Sequence, residues 1–423
     1  LQIAGFFVEL LVNLPPIDPL LLQAITMPNL LQIRLAILLF LQFFVWGSYF
    51  VTLGTYLLNT LHFSGREVGL IYGTTAIAAM VAPFLLGMLA DRHFPVERLL
   101  AVLNLSGAVL MYVTSTFEQF WPFYFTLLVY TFTYMPIFSL NASLCFHHLK
   151  RPSRDFPRVR AFGTLGWIVA GIVVGTLGIE NQVTPMHISA GTSLCSAIFC
   201  LSLPKTPPQA EKVSLRDWLG PEVRRLFRDP TFTLLMVIMI LVSIPIAFYY
   251  SFVNPYMNQL GIANAAGKMS MGQISEMMFM LILPWIISRI GLKWTIFIGL
   301  LTWGVRYLIF AFGNGDEFVW MIYLAIFLHG QAFVLSGLSV QIYVNNKVPA
   351  SLRSTAQGFY TFLTLGLGTL IGSFLAGNVV TYFTTDDQQF LWRQIWYVPS
   401  TIGILVAIFF LVRYREKGRV IDI

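Results

Sequence analysis

The sequence predicts an all-α integral membrane protein with twelve transmembrane helices set out as six plus six, and three observations carry that prediction. Of the 423 residues, 57% are hydrophobic and only 11% are charged, a balance foreign to soluble domains of this size. Apolar stretches of roughly 20 residues recur down the chain, the length a ~30 Å hydrocarbon core requires. One long polar stretch, Pro204 to Pro230, divides the spans into two sets; it holds Thr206-Pro207-Pro208 and the basic residues Arg224, Arg225 and Arg228. The spans must be helical, because lipid offers no partner to the backbone of an open strand. The abundance of Phe (37), with Trp (10) and Tyr (17), suits lipid-facing and interfacial surfaces.

Charges, glycines and prolines bound the elements in order. The first six helices are expected over 34–58, 68–90, 98–116, 120–146, 159–180 and 187–204. The last six are expected over 231–258, 268–289, 293–313, 318–345, 354–382 and 393–413. This divides the chain into a first bundle (27–204), a linker (205–230), a second bundle (231–413) and a short tail (414–423). Residues 1–26 begin with Leu, lack a basic n-region and precede Met27-Pro28-Asn29, so they read as a non-native extension. The linker reads as a connector, with room for a short surface helix.

The net charge of +7 reflects orientation rather than nucleic-acid binding. With the N-terminus in the cytoplasm, only Arg66, Arg160, Lys268, Arg306 and Arg393 of the 26 Lys+Arg fall outside cytoplasmic loops and tails. Glu67, Glu118, Glu180, Asp316, Glu317, Asp386 and Asp387 fall on the other side. That asymmetry places both termini in the cytoplasm. Cys145, Cys195 and Cys200 lie in or at the ends of spans without metal-ligand spacing and read as small apolar residues. There is no phosphate-cradling loop, no HExxH and no nucleophile elbow, so no enzyme activity, cofactor or metal is expected.

Polar residues inside spans point to a solute pathway. Glu276 is an acid well inside an apolar run, where a carboxylate costs roughly 2.5–3.5 kcal/mol on insertion scales and usually serves ions, protons or substrate. Desolvation favours its neutral form and a neighbouring arginine its charged form, so a group between the two can take up and release a proton. Gln273 lies three residues earlier on the same face. In the fifth span Arg160, Thr164 and Trp167 follow i, i+4, i+7: a cation, a hydroxyl and an indole on one stripe, unless Arg160 snorkels to water. In the seventh, Pro245 frees backbone groups, and Tyr250 and Asn254 are four apart, as a pocket wall or an interfacial belt. In the tenth, His329 and Phe333 share a face, and a lone histidine is either a packing residue or a proton carrier. Arg306 has as its candidate partners Glu276 or a carbonyl. The glycines of the eleventh span (Gly366, Gly368, Gly372, Gly377) allow close helix contact and sliding. His147-His148 reads as a solvated loop.

Two sets of motifs carry a resemblance. Gly87-Met88-Leu89-Ala90-Asp91-Arg92 between the second and third spans is similar to the short loop motif of the major facilitator superfamily. There the Asp caps a helix or pairs with a base and holds one conformational state. The matching loop of the second half, Ser288-Arg289-Ile290-Gly291-Leu292-Lys293, keeps the glycine and bases but lacks the Asp. The stretches Phe40–Phe50, Asp155–Trp167, Gly272–Glu276 and Arg353–Gly358 resemble the bacterial nucleoside:proton symporter family of that superfamily. The resemblance implies a nucleoside held between the halves by Arg160, Thr164, Trp167, Gln273 and Glu276. Some members carry Gln and Asn where Ala247 and Tyr250 stand, Tyr where His329 stands, and an acid where Val334 stands. The branch with Phe-Tyr-Tyr in the seventh span and Leu-His-Gly in the tenth is the more similar one.

The functional expectation is a proton-coupled nucleoside importer in the bacterial inner membrane, working as a monomer by alternating access, with nucleoside, protons and the lipid bilayer as its partners. Trp167 or Phe333 would stack on the base, Tyr250 and His329 would complete the pocket, and Glu276 would carry the proton. The alternatives are a facilitator or symporter of another ring solute, such as a sugar or nucleobase, and a solute sensor on a transporter body.

Overall fold

Each apolar run expected to be a span folds as helix. The computed structural model describes residues 30–92, 94–207, 226–348 and 353–415. The extension at 1–26, most of the linker and most of the tail lie outside the described residues, as do the side chains of Gly87, Asp91 and Arg92. In chain order the helices are α1 (Leu30–Thr60), α2 (Gly65–Arg92), α3 (Val96–Ser115), α4 (Phe120–His148), α5 (Pro152–Thr176) and α6 (Thr184–Cys200). They continue as α7 (Pro230–Gln259), α8 (Ala265–Phe312), α9 (Val319–Lys347), α10 (353–382) and α11 (Trp392–Arg413). Among the described residues, nine helices are long and apolar enough to cross a membrane. The nine leave out α2 and the 17-residue α6. Gly87 to Arg92 continue α2 rather than forming a loop.

Local chemistry explains the starts and breaks. Proline in the first turn opens α5, α6 and α7, where its missing N–H costs nothing. Asp229 caps α7 by accepting the Thr231 N–H at 2.9 Å and pairs with Lys347 at 2.6 Å. In α8, Gly291 has φ 79° and ψ 164°, a conformation that side chains disfavour, and it breaks the helix between residues 290 and 292. The backbone of α1 is irregular at 50–52. There the Tyr72 hydroxyl of α2 donates to the Phe50 carbonyl at 2.7 Å and accepts the Gly54 N–H at 3.0 Å, satisfying groups the helix leaves open. Wide π-helical turns occur at Tyr56–Thr60, Phe333–Leu338 and Phe362–Gly368.

Packing joins α1 to α5 and α6, α3 to α4 and α6, α7 to α10 and α11, and α8 to α9 and α11. Further contacts join the earlier helices to the later ones: α1 with α7, α2 with α7 and α10, and α5 with α8. They concentrate at one end of the molecule and depend on glycine. A Cβ at Gly54 would strike the Ser251 carbonyl, and one at Gly65 would come within 2.7 Å of Val380. Gly377 meets Gly69 and Gly65 backbone to backbone. The glycines expected to permit close contact in α10 do so: Gly366 faces Met80, and Gly368 and Gly372 face Ser243, Ile244 and Ala247. Cys145 and Cys200 are buried and Cys195 is exposed. His148 is not a free loop residue: it ends α4 with Nε2 2.7 Å from the Thr206 hydroxyl.

Candidate functional site

An aromatic wall runs from α1 through α5 to α7 and α9. Trp46 meets Trp167 edge to face at 5.2 Å, and Trp167 meets Tyr250 at 6.5 Å. Phe50 meets Trp167 at 6.2 Å and Tyr250 at 5.8 Å. Trp167, Tyr249, Tyr250, Gln273, Ser270 and Met269 line one cleft, together with Val51, Gly171 and Ala266. The structure therefore brings together Trp167, Tyr250 and Gln273. Tyr250 faces this cleft rather than a lipid belt, and Asn254, one turn on, is buried and accepts the Thr55 hydroxyl. The Trp46 Nε1–H is buried without a hydrogen-bond partner, a donor suited to a polar solute.

Arg160 does not snorkel away. It is half-buried, with its guanidinium 4.1 Å from the centre of the Phe43 ring. A Cβ at Gly163 would lie 2.7 Å from Phe43, so glycine there leaves the ring its place beside Arg160. Thr164 is half-buried between Arg160 and Trp167 on α5. Glu276 is half-buried on the first part of α8. The glycine of Leu328-His329-Gly330 has a clear physical reason: a Cβ at Gly330 would collide with the backbone of Ser275 and Glu276. It lets α9 bear directly on the turn that presents the carboxylate.

His329 lies behind the cleft surface. It is fully buried, stacked on Tyr249 at 4.3 Å and on Phe333 at 6.2 Å. Arg306 is fully buried too. Its Nε donates to the Ala325 carbonyl at 3.0 Å, and its Nη1 lies 2.9 Å from His329 Nδ1. Of the two partners open to Arg306 in the sequence, the carbonyl is the one found. Arginine only donates, so Nδ1 accepts and the ring proton sits on Nε2. That Nε2–H has no partner. His329 is thus held as a neutral donor with a fixed tautomer, a poor arrangement for a proton carrier. The guanidinium also lies 4.4 Å from the Tyr249 ring centre and 5.1 Å from that of Trp303.

Two of the four positions where the chain departs from some members of the resembling family, Val334 and Ala247, lie outside the cleft lining. Val334 is buried in the wall of α9. Ala247 faces away from the cleft, toward Gly372 of α10. Sequence reasoning missed Phe43, Trp46 and Phe50, because an aromatic run on a first span reads equally as lipid-facing surface. It also missed Tyr249, whose neighbour Tyr250 carries the same signal, and the burial of Glu180, for which the sequence offers no sign.

Helices long enough to cross a membrane, wrapped around a cleft of aromatic, hydroxyl and amide groups, define a multi-pass membrane transport protein. The chain belongs to the nucleoside H+ symporter family, whose model matches residues 30–419. It is 36% identical over 399 residues to YegT, a candidate nucleoside transporter of Escherichia coli, covering 91% of this chain and 94% of that protein. It is 30% identical over 407 residues to the xanthosine permease of the same organism, covering 91% and 96%. The crystal structure of the nucleoside transporter NupG superposes with a TM-score of 0.84 at 28% identity, covering 92% of this chain and all of that one. The fold is of the major facilitator type, and the chain is a transporter rather than an enzyme.

Proposed function

We propose that the protein imports nucleosides together with protons by alternating access. The observation that carries this reading is the family membership joined to one geometry: a cleft lined by Trp167, Tyr250 and Gln273, whose walls include α5, the helix of Arg160, and α8, the helix of Glu276. A base stacks against Trp167 or Phe333. Arg160, Thr164, Gln273 and Glu276 hydrogen-bond the sugar and base edges, and Tyr250 closes the cleft. His329 supplies a fixed Nε2–H from behind the wall. Glu276 exchanges the proton.

The same reading divides α8 at Gly291 and counts α2 and α6 as spans, which makes twelve transmembrane helices in two six-helix bundles, 27–204 and 231–413. Both termini face the cytoplasm of a bacterial inner membrane, the protein works as a monomer, and Gly87, Asp91 and Arg92 serve the conformational switch. The end where Gly54 meets Ser251 and Gly69 meets Gly377 is then the outer end, and it is shut. A second reading, a facilitator without coupling, is favoured by one observation: Val334 is a buried apolar residue where resembling proteins carry an acid. Glu276→Gln separates the two. Under the symport reading the variant loses gradient-driven accumulation and keeps solute exchange; full accumulation by it would remove Glu276 from the coupling role.

A further inference from the structure

A second carboxylate, far from Glu276 in the chain, closes the shut end. Glu180 lies in the α5–α6 connection and is only 4% exposed. Its Oε2 accepts Asn254 Nδ2–H at 2.9 Å and Asn258 Nδ2–H at 2.8 Å, both from α7. Its Oε1 accepts the backbone N–H of Ala266 at 3.0 Å, in the first turn of α8, where open N–H groups and the helix dipole favour an anion. The next residue, Asn181, accepts Asn59 Nδ2–H at 3.0 Å and the Thr60 hydroxyl from the end of α1. This short connection therefore ties α1, α7 and α8 together.

The three groups on Glu180 are all N–H donors, and none of them can accept. A protonated carboxyl would aim its O–H at a donor and lose a bond, so the arrangement demands the ionised form. Among the described residues, the helix ends packed against Glu180 carry few other titratable groups. On and just after α1 these are Tyr56 and His62. On α7 it is Tyr256, whose hydroxyl donates to the Phe310 carbonyl at 2.7 Å. On α8 it is Lys268, whose ammonium lies 5.4 Å over the Tyr323 ring. The one ion pair among the described residues is Lys347 with Asp229. Dipoles rather than a counter-charge hold Glu180.

We propose that Glu180 is the outer-gate carboxylate of the transport cycle: ionised, it latches the end of α5 to α7 and α8; neutral, it lets them part. The proton comes from outer water and returns to it when the gate closes, so it is not counted among those carried across. The proposal rests on the orientation given above. Spin labels at Gln182→Cys and Ala263→Cys, both exposed positions, in a background with Cys145, Cys195 and Cys200 changed to serine, read the gap as a distance distribution. Recording from neutral pH down into strong acid follows the latch through protonation, since three N–H donors favour the charged carboxylate. The parent is expected to give a short distance at high pH and a longer one that grows as pH falls. Glu180→Gln should raise the long-distance population at least about 5-fold at high pH, the ratio that about 1 kcal/mol confers, and flatten the profile. Asn258→Asp sets two carboxylates face to face and should invert the profile, open at high pH and closing as pH falls. One short distance in parent and variants at every pH overturns the proposal, as does an unaltered profile in Asn258→Asp if Glu180→Gln does not fold. Labelling of Gln182→Cys by an impermeant maleimide in intact spheroplasts tests orientation separately. Labelling only from the cytoplasmic side would overturn the outer-gate assignment while leaving a pH-dependent latch.

Discussion

Gly69 of α2 has no room for a methyl group. A Cβ there would run into the Ser373 carbonyl and come within 2.9 Å of Gly377 Cα. Both are backbone atoms of α10, which cannot swing aside as a side chain would. Gly69→Ala therefore strains the shut state and leaves any state with these helix ends apart untouched. Overpacking of this kind costs about 1–3 kcal/mol, which converts to a shift of about 5- to 150-fold in the ratio of shut to open molecules. Labels at Arg66→Cys and Tyr382→Cys report the gap, since both side chains are exposed and the Arg66 N–H donates to the Thr381 hydroxyl at 2.7 Å. The variant is expected to move most of the distribution from a short to a longer distance and to slow uptake. A folded, monodisperse Gly69→Ala protein with the parent's distribution would refute the claim that this contact holds the end shut.

Three other outcomes follow from the site and its supports. Trp167→Ala removes the ring between Trp46 and Tyr250; base–aromatic stacking is worth about 1–3 kcal/mol, so KM for a nucleoside should rise about 5- to 150-fold in uptake assays. Arg306→Met leaves His329 Nδ1 without its donor, and a buried unsatisfied acceptor costs about 1–3 kcal/mol, a loss visible as a lower unfolding midpoint in detergent. Arg306→Lys should not rescue it, because two different guanidinium nitrogens are in use. Asp229→Ala removes the α7 cap, worth about 0.5–2 kcal/mol. Burial pushes the Asp229 carboxyl up, but Lys347 and the Thr231 N–H outweigh it and leave it below its ordinary value. A depressed carboxylate adds stability above its unfolded value near pH 4 and loses it as pH falls through the folded one. The gap between parent and Asp229→Ala should therefore be full at neutral pH and shrink in strong acid.

The fold was legible because the bilayer imposes a length and a polarity that composition displays openly. The site was legible only where a residue defied that rule. Glu276, Arg160 and Gln273 stand out in apolar runs, and the structure places Gln273 in the cleft. The aromatic members do not stand out: Trp46 and Phe50 look like lipid-facing residues, and only the approach of α1 to α5, permitted by Gly47 and Gly166, turns them inward. Gly330 reads as an ordinary small residue until the backbone at Glu276 shows what it makes room for. Glu180 was least legible. An acid at a span end reads as solvated, and its burial depends on Asn254, Asn258 and Ala266, more than 70 positions away.

The central claim is coupled nucleoside import through Glu276, and uptake of labelled uridine, adenosine and xanthosine into proteoliposomes tests it most directly, with and without an imposed inward proton gradient. The account predicts accumulation above the equilibrium level for at least one of the three, only with the gradient, and lost in Glu276→Gln. Equilibration that ignores the gradient would contradict coupling and leave a facilitator; no flux of any of the three by folded protein would contradict the nucleoside assignment itself.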